Sequence, residues 1–238
     1  MFTGKKVVIT GGSAGIGFAT AKLFSERGAE VLITGRNQEK LEEALRRLKS
    51  PNVHALAWDV ANFDVLDEKF KSCIELLGSI DIWINNAGLA MDVDFQGDFF
   101  GTKEFNWDTV MDTNIKSMFF ICQKLISYMK QNHIAGRIVN VGSEQGFRPG
   151  AITPYGISKI CVDYLTKGLA RKFVKDGIII NSVAPGATNT DLQYAEKIMS
   201  AEEIAEVILF LASDRGKIIA GETVIADRCE HLGVSWYE

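Results

Sequence analysis

Near its N-terminus the chain reads Val7-Val8-Ile9-Thr10-Gly11-Gly12-Ser13-Ala14-Gly15-Ile16-Gly17. The first four residues are apolar or β-branched, which predicts a buried strand. A glycine-rich run follows, and we expect a helix to begin inside it. Glycine permits positive φ angles and close approach of the backbone to a ligand, while the N–H groups of a new helix attract anions. A glycine-rich turn without a ligand is the alternative, but the position between a strand and a helix favours a nucleotide loop. That phosphate-binding loop would comprise Gly11, Ser13, Gly15, Ile16 and Gly17.

The same order of strand and helix continues along the chain. Short apolar runs bounded by turn residues predict strands at Val7–Thr10, Val31–Thr34, Val53–Leu56, Ile80–Ile84, Arg137–Val141, Ile178–Val183 and Thr223–Ile225. Amphipathic segments between them predict helices at about 15–28, 37–48, 62–77, 103–131, 154–175 and 200–213. This alternation predicts an α/β fold, a Rossmann-type doubly wound parallel sheet of about seven strands with helices on both faces.

Domain organisation follows from the same pattern. No linker, composition break or internal repeat interrupts it, so we expect one domain over residues 1–238. The longest irregular regions, about 88–103 and 186–199, each follow a strand. In open α/β folds ligands bind beyond the carboxyl ends of the strands, so we expect these two regions to form the substrate loops.

Composition excludes several classes of function. The chain is 47% hydrophobic and 24% charged, with a net charge of −4. Without clustered Lys and Arg, we expect neither nucleic acid nor a membrane as a partner. No apolar run reaches the roughly 20 residues of a membrane helix and no signal-peptide pattern is present, so we expect a cytoplasmic protein. The cysteines are scattered without metal-ligand spacing, which predicts free buried thiols and no metal site.

The second strand ends in Thr34-Gly35-Arg36-Asn37. In a Rossmann unit an acidic residue near this point binds the ribose 2′-hydroxyl of NAD, whereas an arginine accommodates the 2′-phosphate of NADP. Here the acid is absent, and the guanidinium of Arg36 offers a planar set of donors. The sequence therefore favours NADP(H), with NAD(H) possible. The alternative is that Arg36 is only a solvated residue at a strand end.

A second motif lies near the start of the predicted helix 154–175. It reads Tyr155-Gly156-Ile157-Ser158-Lys159, which places Tyr155 and Lys159 on one helix face. A free phenol has a pKa of about 10, too high for proton exchange near neutral pH, and a neighbouring ammonium lowers that pKa. Tyr155 is thus a candidate acid and base for a carbonyl or alcohol oxygen, although Tyr-x-x-x-Lys alone is common on helices.

Together these motifs resemble the short-chain dehydrogenases/reductases, in the branch that uses NADP and a Tyr-x-x-x-Lys pair. The resemblance extends from Lys5 to about Asp227, with the motifs in the family's order. It rests on Thr10–Gly17, Asp59-Val60, Asn85-Asn86-Ala87-Gly88, Asn114, Ser143, Tyr155, Lys159 and Pro185-Gly186. It implies a nicotinamide-dependent oxidoreductase.

The resemblance implies a role for each matching position. The catalytic set would be Asn114, Ser143, Tyr155 and Lys159. Tyr155 would act as acid and base, Lys159 would lower its pKa and bind the nicotinamide ribose, and Ser143 would bind the reacting oxygen. Asn114 would kink its helix and hold a water molecule that links Lys159 to solvent. Beyond the glycine loop and Arg36, the cofactor would contact Asp59, Val60, Asn86, Ala87, Gly88, Tyr155, Lys159, Pro185, Gly186, Thr188 and Thr190.

The chain departs from the family's pattern in several places. Segment 92–98 is acidic and aromatic, and is either a rim that attracts cationic or polyhydroxylated substrates or a solvated loop packed by its own phenylalanines. Segment 191–199 is too short for the usual helical lid, so we expect an open site. Arg228 and Cys229 replace the usual glycines after the last strand, and the tail 231–238 is expected to pack, for example at a subunit contact. Glu144, beside Ser143, either binds a substrate hydroxyl or amine or faces solvent.

We therefore expect an enzyme that transfers a hydride between NADP(H) and a carbonyl or secondary alcohol of a small molecule. A 3-oxoacyl-thioester reductase is the first expectation, and a sugar or polyol dehydrogenase is the alternative. A non-catalytic NADP-binding sensor is a further alternative, but it would have little use for the catalytic set. The resemblance also implies a homodimer or homotetramer formed through the helices that carry Asn114 and Tyr155. Several apolar side chains on these helices are compatible either with that subunit contact or with burial against the sheet. They are Met118, Phe119, Phe120, Ile160, Val162 and Leu165.

Overall fold

A computed structural model describes residues 2–91, 99–148, 152–188 and 199–233. The strands in these ranges are β1 (Lys6–Thr10), β2 (Glu30–Gly35), β3 (Val53–Ala57), β4 (Ile82–Asn85), β5 (Arg137–Val141), β6 (Ile179–Pro185) and β7 (Thr223–Ala226). They form one seven-stranded parallel sheet in the order β3-β2-β1-β4-β5-β6-β7. The predicted doubly wound parallel sheet is therefore confirmed.

Two layers of helices cover the sheet. The helices are α1 (Gly15–Glu26), α2 (Gln38–Leu48), α3 (Leu66–Leu77), α4 (Glu104–Met111), α5 (Ser117–Gln131), α6 (Pro154–Phe173) and α7 (Ala201–Ala212). α1, α2 and α7 pack on one face, and α3, α5 and α6 pack on the other. In α2, for example, Leu41 and Ala44 are buried while Glu42 and Glu43 are exposed, as the helical period requires. None of the helices in the described ranges is long and apolar enough to cross a membrane.

Strand residues alternate between these two layers. In β1, Val7 and Ile9 contact the layer of α1, and Val8 contacts the layer of α3. β4 repeats the pattern, with Ile84 on the first side and Trp83 on the second. Because both faces are covered, the central strands are mostly apolar on both sides, which is typical of a parallel sheet.

The structure differs from the sequence prediction within segment 103–131. Instead of one helix it contains α4, a π turn at Asp112–Lys116, and α5. The π turn inserts extra backbone into a helix whose apolar spacing continues on either side, so periodicity does not reveal it. Other boundaries shift by at most four residues: α3 begins at Leu66 rather than about 62, and β4 begins at Ile82 rather than Ile80.

A buried polar chain links β4, β5 and α6. Asn85 Nδ2 donates to Asn140 Oδ1 at 2.8 Å, and Asn140 Nδ2 donates to Thr166 Oγ1 at 2.9 Å. Trp83 Nε1 donates to Asn85 Oδ1 at 2.8 Å. Buried amides are costly unless they are hydrogen-bonded, so these contacts fix the three elements relative to one another near the carboxyl ends of the strands.

Two of the four cysteines are buried as expected. Burial raises the pKa of the Cys73 thiol and of the Cys122 thiol to about 12, so neither ionises near neutral pH. Cys161 is half-buried and Cys229 is exposed, which differs from the expectation of buried thiols.

The strand order reverses between β1 and β4. From β1 the chain runs outward through β2 and β3, and then crosses back so that β4 pairs with the other edge of β1. At such a reversal the flanking connections leave in opposite directions, and a crevice opens beyond the carboxyl ends of the two strands. The glycine-rich loop after β1 and the segment after β4 lie at this crevice.

Candidate functional site

A cleft of about 1020 Å³ opens beyond the carboxyl ends of the strands, where the strand order reverses. Its size is at the upper end of the range for small-molecule sites. The predicted site residues that line it are Gly11, Ser13, Gly15, Ile16, Arg36, Asp59, Val60, Asn86, Ala87, Gly88, Ser143, Tyr155, Lys159, Pro185, Gly186 and Thr188. Gly17 and Asn114 are not part of the lining, and Thr190 lies outside the described residues.

The loop after β1 and the first turn of α1 are packed too tightly for side chains at several of their glycines. Gly11 has a φ angle of +67°, and a Cβ there would lie 3.0 Å from Ala87 Cα. A Cβ on Gly17 would lie 2.3 Å from Gly11 O. α1 begins at Gly15 after Ala14, which supplies no side-chain cap, and its first turn carries no acidic residue. The N–H groups and the helix dipole therefore make this end electropositive, which suits a phosphate.

Hydrogen bonds join the ends of β1 and β4 across the crevice. Thr10 Oγ1 accepts from Asn86 N and from Ala87 N, both at 3.0 Å. Asn86 Nδ2 donates to Thr10 O at 2.9 Å and to Gly11 O at 3.0 Å. The side chain of Asn86 is therefore used to hold the glycine loop in place, while the residue also lines the cleft.

One end of the cleft is formed by residues that follow β2 and β3. Arg36 and Lys40 both line it and both are exposed, so two cations stand four residues apart at the start of α2. Asn37 Oδ1 accepts from Lys40 N at 2.9 Å and caps α2, which fixes this part of the chain. After β3, Asp59 Oδ1 accepts from Ala61 N at 3.0 Å, so the Asp59 carboxylate shapes the turn that lines the cleft.

Lys159 is a buried cation, 5% exposed. Its Nζ donates to Val141 O at 3.2 Å and lies 5.3 Å from the centre of the Tyr155 ring. Burial lowers the pKa of the Lys159 ammonium from its ordinary value of 10.5 to about 8. α6 places Tyr155 and Lys159 about one turn apart, so the ammonium and the ring lie together as the spacing predicts.

Asn114 lies in the π turn and is 1% exposed. Its Oδ1 accepts from Leu89 N at 2.8 Å, and its Nδ2 donates to Leu89 O at 2.9 Å and to Ser158 Oγ at 3.0 Å. A Cβ on Gly88 would lie 3.4 Å from Asn114 Oδ1 and 3.3 Å from Lys159 Nζ. Asn114 therefore fixes the segment after β4 against α6, close to the ammonium of Lys159.

Ser143 follows β5 and precedes a 3-10 turn at Glu144–Gly146. This turn packs tightly on α6, since a Cβ on Gly146 would lie 2.7 Å from Ile160 N. The contact holds Ser143 at the same cleft as Tyr155, although the two residues come from different elements. The predicted grouping of Ser143, Tyr155 and Lys159 is thus found at one place in the structure.

The other end of the cleft follows β6. Thr188 Oγ1 donates to Gly186 O at 2.8 Å. A Cβ on Gly186 would lie 2.6 Å from Asp227 Cβ, so the segment after β7 packs directly on the turn after β6. The acidic segment 92–98, residues 189–198 of the predicted substrate loop 186–199 and the tail 234–238 lie outside the described residues.

Several residues of the lining were missed by the sequence prediction. They are Ala14, Gly35, Asn37, Lys40, Trp58, Leu89, Ala90, Thr113, Val141, Gly142, Gln145, Arg148, Ala187 and Glu230. Lys40 has a signal in the sequence, since it stands four residues after Arg36 at a helix start. Glu230 has none, because it follows β7 and reaches the cleft through a turn in which Asp227 accepts a hydrogen bond from His231 N at 2.6 Å.

A doubly wound parallel sheet with a glycine loop and a helix N-terminus at the strand-order reversal defines a Rossmann-type nucleotide-binding protein. Known proteins that resemble the chain identify its family. The family model for short chain dehydrogenases matches residues 5–200. An uncharacterised oxidoreductase of Staphylococcus aureus (strain USA300) is 31% identical over 234 residues, which cover 94% of this chain and 98% of that protein. An uncharacterised oxidoreductase of Staphylococcus epidermidis is 29% identical over 230 residues, covering 93% and 96%.

Solved structures agree with these relatives. A short-chain dehydrogenase/reductase of unknown function from Caenorhabditis elegans, solved with cofactor, is 29% identical with a TM-score of 0.88, covering 97% of this chain and 96% of that chain. Another short chain dehydrogenase/reductase family protein is 28% identical with a TM-score of 0.84, covering 95% and 97%. The chain therefore belongs to the short-chain dehydrogenase/reductase family and is an oxidoreductase.

Enzymes of this family use the nicotinamide cofactors NAD(P)(H), and the cleft fits such a group. The backbone cradle at Gly11 would be blocked by a Cβ, and the first turn of α1 presents N–H groups without a competing acid. Arg36 and Lys40 add positive charge at one end of the same cleft. In the part of the chain that is described, no three His, Cys, Asp or Glu side chains lie together as metal ligands.

The lowered pKa of Lys159 predicts a pH-dependent stability. Between pH 8 and 10.5 the unfolded chain binds a proton at Lys159 that the folded chain does not, so stability contributed at this residue rises with pH. Relative to Lys159→Met, we expect the free energy of unfolding to increase by about 3 kcal/mol across this window. Urea denaturation at a series of pH values measures it.

The comparison is made in a Tyr155→Phe background, so that no phenol titrates beside the lysine. Subtracting the two pH profiles cancels every ionisable group that the proteins share. If the two profiles of unfolding free energy against pH are parallel from pH 8 to 10.5, Lys159 keeps its ordinary pKa in the folded protein. Burial would then not disfavour its charged form.

Proposed function

We propose that this enzyme transfers a hydride between NADP(H) and a carbonyl or secondary alcohol, with Tyr155 as the acid and base. The observation that carries the proposal is the meeting of Ser143, Tyr155 and Lys159 in one cleft, with the ammonium 5.3 Å from the Tyr155 ring centre. A phenol beside a buried cation loses its proton more readily, because the positive charge stabilises phenolate. The whole chain, residues 1–238, would act as one catalytic domain.

The residues of the cleft would divide the chemistry among them. When bound, the nicotinamide supplies or accepts the hydride. Tyr155 donates a proton to the carbonyl oxygen during reduction and removes it from the alcohol during oxidation. Ser143 donates a hydrogen bond to the same oxygen and stabilises its developing negative charge. Lys159 keeps the phenol acidic, and a buried cation of lowered pKa is suited to exchange protons near neutral pH.

Other residues would hold the cofactor and position the catalytic group. The glycine loop with Ser13 and Ile16 would take the phosphates, and Asp59, Val60 and Asn86 to Gly88 would take the adenosine side. Pro185, Gly186, Thr188 and Thr190 would line the nicotinamide. Asn114 would act on Lys159 by fixing the backbone around Gly88, in keeping with its three hydrogen bonds, and by holding a water molecule there.

NADP(H) is the proposed cofactor, with NAD(H) as the weaker one. Arg36 and Lys40 together suit a 2′-phosphate, because both cations line the cleft and Asn37 caps the helix between them. The structure solved with cofactor for the similar Caenorhabditis elegans protein supports cofactor binding in this fold.

Tyr155→Phe tests the catalytic role. We expect NADPH-dependent reduction, assayed against a panel of ketones, sugars and 3-oxoacyl thioesters, to fall by about 100- to 10,000-fold, because positioned proton transfer is lost. NADPH affinity, measured by calorimetry, should stay within about threefold, since the change removes one oxygen outside the phosphate end. Loss of binding together with activity would instead indicate a structural role for the phenol.

The matched control is Tyr128→Phe. Tyr128 lies on α5, packs its ring on Phe70 and is not part of the cleft, so its loss of a hydroxyl should leave turnover unchanged. NADPH binding without turnover of any compound by the wild-type protein, in either direction, would overturn the catalytic proposal in favour of a sensor.

Cofactor preference is tested with Arg36→Ala and Lys40→Ala combined. We expect the Kd for NADPH to rise at least about 100-fold, because two cations are removed and hydrogen bonds to charged groups are each worth about 1.5–3 kcal/mol. The Kd for NADH should change little, since it lacks the 2′-phosphate. Arg46→Ala is the control, because Arg46 lies on the same helix but pairs with Glu43 away from the cleft. Equal weakening of both cofactors would contradict the NADP preference.

We also propose a homodimer or homotetramer formed through α4, α5 and α6. Of the apolar residues considered from sequence, Met118 and Val162 are buried against the sheet, whereas Phe119, Phe120 and Ile160 are exposed. Phe105 on α4 is 70% exposed and Tyr164 on α6 is 83% exposed. Large exposed apolar groups on neighbouring helices are typical of a protein interface.

Phe105→Asp combined with Tyr164→Asp should shift the assembly toward monomer in sedimentation velocity, because two buried charges would oppose association. Leu76→Asp is the control, since Leu76 is an exposed apolar residue on α3. An unchanged sedimentation coefficient for the double variant would move the interface elsewhere.

A further inference from the structure

Glu144 is a buried carboxyl group in the wall of the cleft. It directly follows Ser143, and the residue is only 8% exposed. Its Oε2 is buried and has no hydrogen-bond partner among the described residues. A buried polar atom without a partner is costly, and such atoms in native proteins call for a partner that the protein itself does not supply.

The charged groups around Glu144 come from two parts of the chain. Arg148 follows the 3-10 turn, and its Nη1 lies 3.6 Å from Glu230 Oε1. Glu230 and Arg148 both line the cleft. Asp227 and His231 interact electrostatically with the Glu144 carboxyl, and the two are hydrogen-bonded to each other at 2.8 Å. Burial raises the pKa of the Glu144 carboxyl, Glu230 and Asp227 raise it further, and Arg148 and His231 oppose them.

We propose that the substrate carries a hydroxyl group on the carbon beside the reacting carbonyl, and that Glu144 binds this hydroxyl. The substrate class is thus an α-hydroxy ketone, as in a ketose, or in the oxidative direction a vicinal diol. This inference rests on the proposed function, because it places the reacting oxygen at Ser143 and Tyr155. Ser143 and Glu144 are consecutive and both line the cleft, so one small molecule can contact both side chains.

The surroundings favour a hydroxyl over other polar groups. A hydroxyl both donates and accepts, so it can bond to Glu144 whether the carboxyl is ionised or protonated. An ammonium needs the ionised form of Glu144, which burial and the neighbouring carboxylates of Glu230 and Asp227 disfavour. An acyl thioester chain would place methylene groups against Glu144, Arg148 and Glu230, leaving charged groups desolvated and unpaired.

The reaction leaves the neighbouring hydroxyl unchanged. In reduction the carbonyl carbon gains a hydride, which brings both electrons, and the carbonyl oxygen gains a proton from Tyr155. The C=O π bond is broken, one C–H bond and one O–H bond are formed, and NAD(P)H is converted to NAD(P)⁺. Tyr155 is reprotonated from solvent. Glu144 takes part only by binding, and so acts on substrate selection.

Three matched ketones test the inference with NADPH: 1-hydroxy-2-pentanone, 3-hexanone and 1-amino-2-pentanone. They differ only in a hydroxyl, methyl or ammonium group on the carbon beside the carbonyl. We expect kcat/KM for the hydroxy ketone to exceed that for 3-hexanone by about 10- to 100-fold, because a site built for a hydroxyl rejects an analogue that lacks it. The kcat/KM for the aminoketone should be lower than that for the hydroxy ketone.

Variants assign this preference to Glu144. Glu144→Ala should bring the kcat/KM values for the hydroxy ketone and 3-hexanone to within about threefold of each other. Glu144→Gln, which keeps an acceptor and a donor, should restore part of the preference. Glu26→Ala is the matched control, since Glu26 is an exposed carboxylate at the far end of α1 from the cleft, and it should keep the wild-type ratio. Thermal melting establishes that each variant is folded.

The outcomes separate this inference from the function on which it rests. A wild-type ratio near one, preference for the aminoketone, or a ratio unchanged in Glu144→Ala would overturn the hydroxyl assignment while Tyr155-dependent turnover of ketones stands. Failure to reduce any carbonyl compound, including the wider panel above, would overturn the proposed function and the assignment with it.

Discussion

The junction between β1 and β4 is the constraint on which the cleft depends. Thr10 Oγ1 accepts from two backbone N–H groups after β4, and Asn86 Nδ2 donates to two carbonyls after β1. These four bonds satisfy backbone groups that would otherwise be orphaned where the two strands end. They also set the glycine loop at contact distance from Ala87, so that Gly11 and Gly17 have no room for a Cβ. The same four hydrogen bonds therefore determine both where the crevice opens and how the glycine loop is shaped.

A second constraint is the charge of Lys159. Burying an ammonium until it is 5% exposed is unfavourable, and the Lys159 Nζ donates a hydrogen bond to Val141 O. The segment around Gly88 is held beside it by Asn114, which lies in a π turn rather than a regular helix. The π turn thus places a buried amide where it bonds to loop backbone on one side and to Ser158 on the other. Local backbone irregularity and a costly buried charge occur together, as is typical of functional sites.

The sequence predicts the scaffold better than the walls of the cleft. Short apolar runs and helical periodicity depend on burial alone, so the seven-stranded parallel sheet follows from them. Local backbone geometry, which the sequence also indicates, determines the positions of Gly11, Tyr155 and Lys159. These three residues do line one cleft. The π turn has no periodic signature. Glu230 could not be predicted, because its approach to Arg148 depends on how the segment after β7 folds over β6.

That last segment shows how specificity can change without altering the scaffold. Arg228 and Cys229 have φ angles of +53° and +69°, in the region that favours glycine and costs other residues roughly 1–2 kcal/mol each. The turn persists because Asp227, itself buried, accepts hydrogen bonds from Cys229 N and His231 N. Hydrogen bonds to the Asp227 side chain thus stabilise a backbone conformation that glycine would adopt without strain. The turn places Glu230 at the cleft. A strained turn is retained when surrounding contacts over-determine it, and here those contacts also build the wall that faces Glu144.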